Sequence, residues 1–169
     1  MEKLGICYYE ALIKKQPKEI KASDLNIKYG VSLPDSKRVS GPYPLISSNG
    51  ISDYVNVYNT KNVITFGCRG TLGNVFYHKG KAFILNTAFF INNCANYGNL
   101  YFALKHNHGL ILYQSGAAQP QITIDAIKNA KIVVPDTLYL NTFVDLIYKY
   151  QEILNKLKIL KQQLLNKYF

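Results

Sequence analysis

The sequence predicts an α+β protein: a small mixed β-sheet or half-barrel domain with short helices, followed by one long C-terminal coiled-coil helix. Three observations predict it. Short runs rich in Val, Ile, Phe and Tyr follow one another between residues 43 and 92, separated by Gly-containing turns. Apolar residues recur at 3-4-3-4-3-4 spacing from Phe143 to Leu164. All 11 Gly and 6 Pro of the 169 residues lie at or before Pro135, so nothing interrupts a helix beyond it. The expected organisation is one domain over 1–136 and one helix over 137–169.

Residues 6–16 read as a short amphipathic helix ended by Pro17, and residues 21–30 as a turn followed by a short strand or helix stub. Ser32 to Pro44, with Pro34, Gly41, Pro42 and Pro44, reads as a loop carrying Lys37 and Arg38 at its centre. Strands at 43–47 and 54–58 flank Ser48-Asn49-Gly50, where Asn-Gly marks a turn with positive φ. Further strands are expected at 62–67, 74–78, 81–85 and 88–92, with Lys79-Gly80 a turn and His78 a turn residue beside it. Residues 98–112 fit either helix or strand. One helical turn at 125–130 and a strand at 131–135 precede the last element, which Asp136 or Thr137 can cap.

That last element is the sharpest pattern. Phe143, Leu146, Tyr150, Ile153, Leu157, Leu160 and Leu164 form a heptad seam, and Ile147, Leu154, Leu165 and Tyr168 add a second apolar stripe. A helix of about 28 residues is about 40 Å long, more than a domain of this size needs to cover itself. A helix–helix partner, another copy first of all, is the expectation; an ordinary amphipathic helix lying on its own domain is the plainer reading.

Lys and Arg number 20 against 10 Asp and Glu, a net charge of +10. The excess is spread along the chain, so any positive field belongs to the folded surface rather than to a tail. A basic balance of this size fits a nucleic-acid binder, because neutralising phosphates releases counterions; many basic domains bind nothing of the kind. Mean hydropathy is −0.07. No apolar run is long enough to span a bilayer, and residues 1–5 do not open a secretory signal, so a cytoplasmic protein without a membrane partner is expected.

Catalytic chemistry is hard to find. Cys7, Cys68 and Cys94 are too few and too far apart for a disulfide framework or a zinc knuckle and are expected to be buried reduced thiols. His106 and His108 would share one face of a strand, but two ligands are too few for a structural zinc site. Asp53, Asp125 and Asp136 form no carboxylate cluster of the kind that holds Mg²⁺. No Walker loop, G-x-G-x-x-G or G-x-S-x-G stands in the chain. The expectation is a protein that is not an enzyme.

Three stretches carry a resemblance. Tyr43-Pro44-Leu45-Ile46-Ser47-Ser48-Asn49-Gly50 resembles a Y-P-[VL]-x-[GS]-[ST]-N-G turn. Arg69-Gly70-Thr71-Leu72-Gly73 is similar to an R-x-G-[ST]-x-G hairpin, followed by Asn86-Thr87-Ala88. Gly116-Ala117-Ala118-Gln119-Pro120-Gln121-Ile122 resembles G-[AST]-x-Q-x-x-[IL] before the Ile132–Pro135 strand. In this order, with a long helix after them, they resemble the target-recognition domain of the specificity (S) subunit of type I restriction-modification systems, over about residues 24–169. The chain departs from that pattern in having one recognition domain and one long helix where the family usually has two of each. It therefore reads as a half-subunit or as a fragment.

The resemblance implies a non-catalytic subunit that reads double-stranded DNA. It would pair with a second copy or another half-subunit to read a bipartite site, and dock methyltransferase subunits. S-adenosylmethionine and ATP would belong to those partners, with no cofactor in this chain. Lys37, Arg38, Arg69, Lys79 and Lys81 are candidates for a positive DNA-facing surface, and Ser48, Asn49, Thr71 and Asn74 for polar contacts, because they fall on connections between strands. The motif glycines and the Gln119-Pro120 corner read more simply as scaffold. A protein–protein assembly module, or the specificity tail of a fused restriction-methylation enzyme, are the alternatives.

Overall fold

The computed structural model describes residues 2–116, 118–137 and 139–168, so Met1, Leu138, Phe169 and Ala117 of the third motif lie outside it. Helix α1 (Glu2–Lys15) leads into strand β1 (Pro17–Lys21), a 3₁₀ turn at Ala22–Leu25 and strand β2 (Lys28–Tyr29). A second 3₁₀ turn, Asp35–Lys37, precedes β3 (Ser40–Ser47), β4 (Gly50–Val55), β5 (Thr60–Gly67), β6 (Val75–Ile84) and β7 (Ala88–Asn92). Helix α2 (Tyr97–His106), a 3₁₀ segment His108–Tyr113, helix α3 (Ile124–Ile127), strand β8 (Lys131–Pro135) and helix α4 (Tyr139–Tyr168) complete the chain. This is a mixed α+β architecture with short helices.

Six strands form one sheet in the order β2-β7-β5-β6-β3-β4, and β1 pairs with β8 in a separate antiparallel ribbon. Within the large sheet β3 and β6 run parallel at Leu45–Phe83 and Ile46–Ile84, while the other neighbours are antiparallel. The middle strand β5 shows why the sheet sits inside the protein. Ile64 and Phe66 join a core built with α1, α2 and the start of α4, whereas Val63 faces a smaller cluster with Ile46, Ala82, Ile84 and Phe90. Apolar residues on both faces of one strand require a covered sheet on both sides.

Several sequence expectations change in three dimensions. The runs at 74–78 and 81–85 are one ten-residue strand, not two. Register jumps from Val63–His78 to Lys61–Lys81, so Lys79 and Gly80 together oppose Asn62. The extra residue is absorbed as a bulge: Gly80 takes φ +85, Asn62 φ +49, and the Gly80 N–H donates to Asn62 Oδ1 at 2.8 Å. His78 is consequently a buried strand residue, 3.3 Å from Thr65 Oγ1, and burial lowers its pKa to about 4. His106 and His108 do not share a strand face. His106 ends α2 beside Glu10, and His108 begins the 3₁₀ segment at φ +47.

The first helix starts earlier than expected, and Pro17 opens β1, where it faces Pro135. The proline-rich stretch from Ser32 is irregular chain and a 3₁₀ turn as far as Val39, but its end, from Ser40 on, is strand β3. Pro42 is tolerated because Ser40 and Tyr43 both oppose Val55 across a register shift, a site that asks no ladder N–H of it. The fourth strand begins at Gly50 rather than Tyr54, since the hairpin turn is only Ser48-Asn49. Of the thiols, Cys68 is buried and pushed up to about pKa 11, but Cys94 is half-buried and Cys7 lies on the solvent side of α1.

Helix α4 has 30 residues, about 45 Å at 1.5 Å per residue. Its first part belongs to the main core through Leu140, Val144 and Ile147, and Phe143 packs against the Tyr8 ring at 5.4 Å. Gly98 allows the approach of α2, since a Cβ there would overlap the Leu140 and Asn141 backbone. Asn141 Oδ1 accepts the Gly98 N–H at 2.7 Å, and its Nδ2 donates to the Ala95 carbonyl at 2.9 Å. Farther along, Leu146, Tyr150, Ile153, Leu154, Leu157, Leu160, Leu164 and Leu165 are exposed. The side chain of Tyr168 lies outside the described residues.

Candidate nucleic-acid interface

Four connections, far apart in sequence, meet at one end of the large sheet. They are the β3–β4 turn, the β5–β6 connection (68–74), the β6–β7 connection (85–87) and the segment from His108 to Gln121. Thr87 is the hub. Its hydroxyl accepts the Ser48 N–H at 3.2 Å, and its carbonyl accepts the N–H groups of Cys68 and Arg69 at 2.9 and 3.1 Å. The Cys68 carbonyl in turn accepts the Ile122 N–H at 2.9 Å, while Ser115 and Gln121 exchange backbone bonds at 2.8 and 2.9 Å. Arg69 and Gln121 form a further bridge. All three stretches singled out in the sequence thus share one hydrogen-bonded corner.

Five of the nine candidate contact residues are gathered there. Asn74 Nδ2 donates to Asn49 Oδ1 at 3.3 Å, pairing two polar side chains across the corner. Thr71 and Arg69 are exposed. Ser48 is buried and held through its backbone, which suits a structural post better than a contact. The other four stand elsewhere. Lys37 and Arg38 precede β3, at the far end of that strand from Ser48. Arg38 is closed on itself, paired with Asp35 at 2.7 Å and donating from Nε to the Leu33 carbonyl at 3.1 Å.

Lys79 and Lys81 flank the β6 bulge. Lys79 Nζ pairs with Asp145 of α4 at 3.3 Å, and Tyr97 donates to the other oxygen of that carboxylate at 2.7 Å. Lys81 Nζ lies 4.3 Å from the Tyr58 ring centroid and 5.5 Å from that of Tyr43. A hydrogen bond with Tyr58 raises its pKa, so it stays charged. Its register partner is Lys61, which places two like charges opposite one another on the sheet.

Between the corner's walls lies an open cleft of about 320 Å³, lined by Arg69, Gly70, Ala118, Gln119, Pro120 and Gln121. Gln121 stands in the third motif but not among the candidate contact residues, and Gln119 reads in the sequence as a corner of the scaffold. Leu112 was missed altogether. The run Gly109-Leu110-Ile111-Leu112 is uniformly apolar, yet Leu110 is 3% exposed and Leu112 is 89% exposed. His108, Gly109 and Leu110 all take positive φ, and that backward winding turns Leu110 inward while Leu112 projects into solvent. No spacing rule separates the two leucines. Among the described residues no group of three His, Cys, Asp or Glu is placed to hold a metal ion, and no helix is long and apolar enough to cross a membrane.

Comparison with known proteins follows the same outline. Residues 11–167 match the family model described as type I restriction modification DNA specificity domain. Among solved structures the chain is similar to the type I restriction-modification S subunit from M. genitalium, with 19% identity and a TM-score of 0.68 over 86% of this chain and 41% of that one. A structure described as showing complex assembly and conformational transition of the type I R-M system matches at 13% identity and TM-score 0.57, over 96% and 48%. The HsdS subunit from Thermoanaerobacter tengcongensis matches at 15% identity and TM-score 0.55, over 93% and 45%. The chain spans less than half the length of each of the three. A search of curated proteins returned no match.

Proposed function

The chain belongs to the type I restriction modification DNA specificity domain family, and from that premise we propose that it is a sequence-reading, non-catalytic component of such a system, acting on double-stranded DNA. The observation that carries this reading is the unbroken span of the family match, residues 11–167, which takes in both the polar corner of the sheet and most of α4. A net charge of +10 supplies the long-range attraction to phosphates.

The finer part of the proposal concerns assembly. The outer half of α4 carries a seam of exposed apolar residues, and a second copy offering the same seam would cover it in a two-fold arrangement. Two readers held apart by paired helices would then recognise a bipartite site, since protein symmetry is mirrored in half-site spacing. Methyltransferase subunits would dock on this assembly and bring S-adenosylmethionine, with ATP used by the restriction partner; the site of action would be the cytoplasm.

Two measurements test it. Selection from a randomised duplex pool should enrich a split consensus, with log K falling steeply against log salt; a flat salt response removes the DNA-reading role. Sedimentation should show a dimer that the paired substitutions Leu157→Glu and Leu160→Glu convert to a monomer. An assembly module without a DNA role would dimerise through the same seam and ignore duplex DNA.

A further inference from the structure

We propose that the cleft between Arg69-Gly70 and Ala118–Gln121 is the seat of one DNA backbone phosphate, with the Arg69 guanidinium as its charged donor. This deepens the DNA-reading role above and rests on it.

The chain contains two arginines. Arg38 has its fork filled from within, by Asp35 and the Leu33 carbonyl. Arg69 is exposed at the cleft and has no ion-pair partner among the described residues. Its backbone is immobilised by the Thr87 carbonyl and by the bridge to Gln121, so the guanidinium swings from a fixed wall. A planar, permanently charged fork on a rigid base is the group best matched to a phosphodiester.

The lining points the same way. None of its six residues is acidic, and the exposed side-chain amides of Gln119 and Gln121 offer further N–H donors. Shape then separates a phosphate from a base. Base edges lie on the floor of a groove and are reached by side chains that project, as Leu112 does. Phosphates stand proud of the duplex and are received by recesses, as this cleft is. A contact with phosphate positions the protein and carries no sequence information.

The test uses the whole chain, a duplex selected from the randomised pool and a scrambled duplex of equal length. Arg69→Ala should weaken both duplexes by the same factor, lower the slope of log K against log salt by about 1, and leave the selected consensus unchanged. Arg69→Lys, which keeps the charge, should retain the slope. Should Arg69→Ala lower the unfolding midpoint, Arg69→Gln against Arg69→Lys asks the same question of a folded pair. A consensus that relaxes at one position would make Arg69 a base reader and overturn the assignment, as would unaltered affinity and slope. Failure of the unaltered chain to bind any duplex would instead remove the DNA-reading role itself.

Discussion

Leu140, Val144 and Ile147 in the first half of α4 are buried in the domain core, whereas Leu157, Leu160 and Leu164 in the second half remain about half exposed. The two groups share residue types and helical spacing. What separates them is the face of the helix: Leu140, Val144 and Ile147 lie in the core on the side that α2 approaches at Gly98, whereas among the described residues the seam from Leu146 onward stays exposed. The cations divide in the same way. Lys79 and Arg38 pair with acids of their own chain, and Arg69 has no such partner among the described residues. The difference teaches that residue type and spacing do not decide whether a group is covered or paired; the elements packed beside it do.

The largest expected effect sharpens the contrast within α4. Leu140→Ala should cost about 3 kcal/mol of unfolding free energy, because a fully buried leucine is lost and the α2 interface collapses only partly around the gap. Leu157→Ala should change it by less than about 0.5 kcal/mol when urea unfolding is measured at concentrations that keep the chain monomeric. Equal losses at the two sites would break the comparison, since they would mean that the outer seam is covered by its own domain.

Next comes a group that is satisfied only when neutral. The folded pKa of His78 is about 4, and burial is the cause, against an ordinary value near 6.5. As pH falls the unfolded chain takes up this proton first. The stability His78 contributes is therefore complete above pH 6.5 and is lost progressively between 6.5 and 4, by about 3 kcal/mol in all. Denaturation midpoints for the unaltered chain should fall through that window, and His78→Gln should flatten the fall. An unchanged pH profile in the variant would show that His78 titrates freely.

A smaller loss is expected where one hydrogen bond joins the ribbon to the helical layer. Tyr9 donates from its hydroxyl to the Val133 carbonyl at 2.5 Å, and burial, with the Glu10 charge adding to it, pushes the phenol up to about pKa 12. Tyr9→Phe should cost about 1 kcal/mol, the usual net worth of such a bond plus the stranded carbonyl. The smallest effect belongs to Lys79→Ala, whose solvent-exposed pair with Asp145 should be worth at most about 0.5 kcal/mol in an unfolding titration and should fade in high salt. Were Lys79→Ala also to weaken duplex binding as much as Arg69→Ala, the division between occupied and free cations would fail.

The strands were legible wherever a β-branched or aromatic run met a turn residue. Thr60–Gly67 and Ala88–Asn92 follow closely from such runs, and so does the ribbon strand Lys131–Pro135. The β6 bulge was not legible. Lys79-Gly80 has the chemistry of a hairpin turn, and pairing with β5 both before and after it carries the chain straight through as a bulge. Part of the interface was legible for a related reason: turns show in a sequence as Gly, Asn and Ser, so the corner's residues near 48, 70 and 116 stand out. Their convergence does not show, because it depends on Thr87 bonding to two other connections at once.

By itself the sequence determined the α+β class, the basic character, the heptad seam and the three turn motifs. Each of these is written in local composition and periodicity, and each survives whatever the chain's neighbours are. Tertiary structure alone decided which face of the last helix is buried, which of the two arginines pairs with an acid among the described residues and which of Leu110 and Leu112 projects. Those outcomes depend on what stands within a few ångströms of a side chain, and residues distant along the chain set that distance.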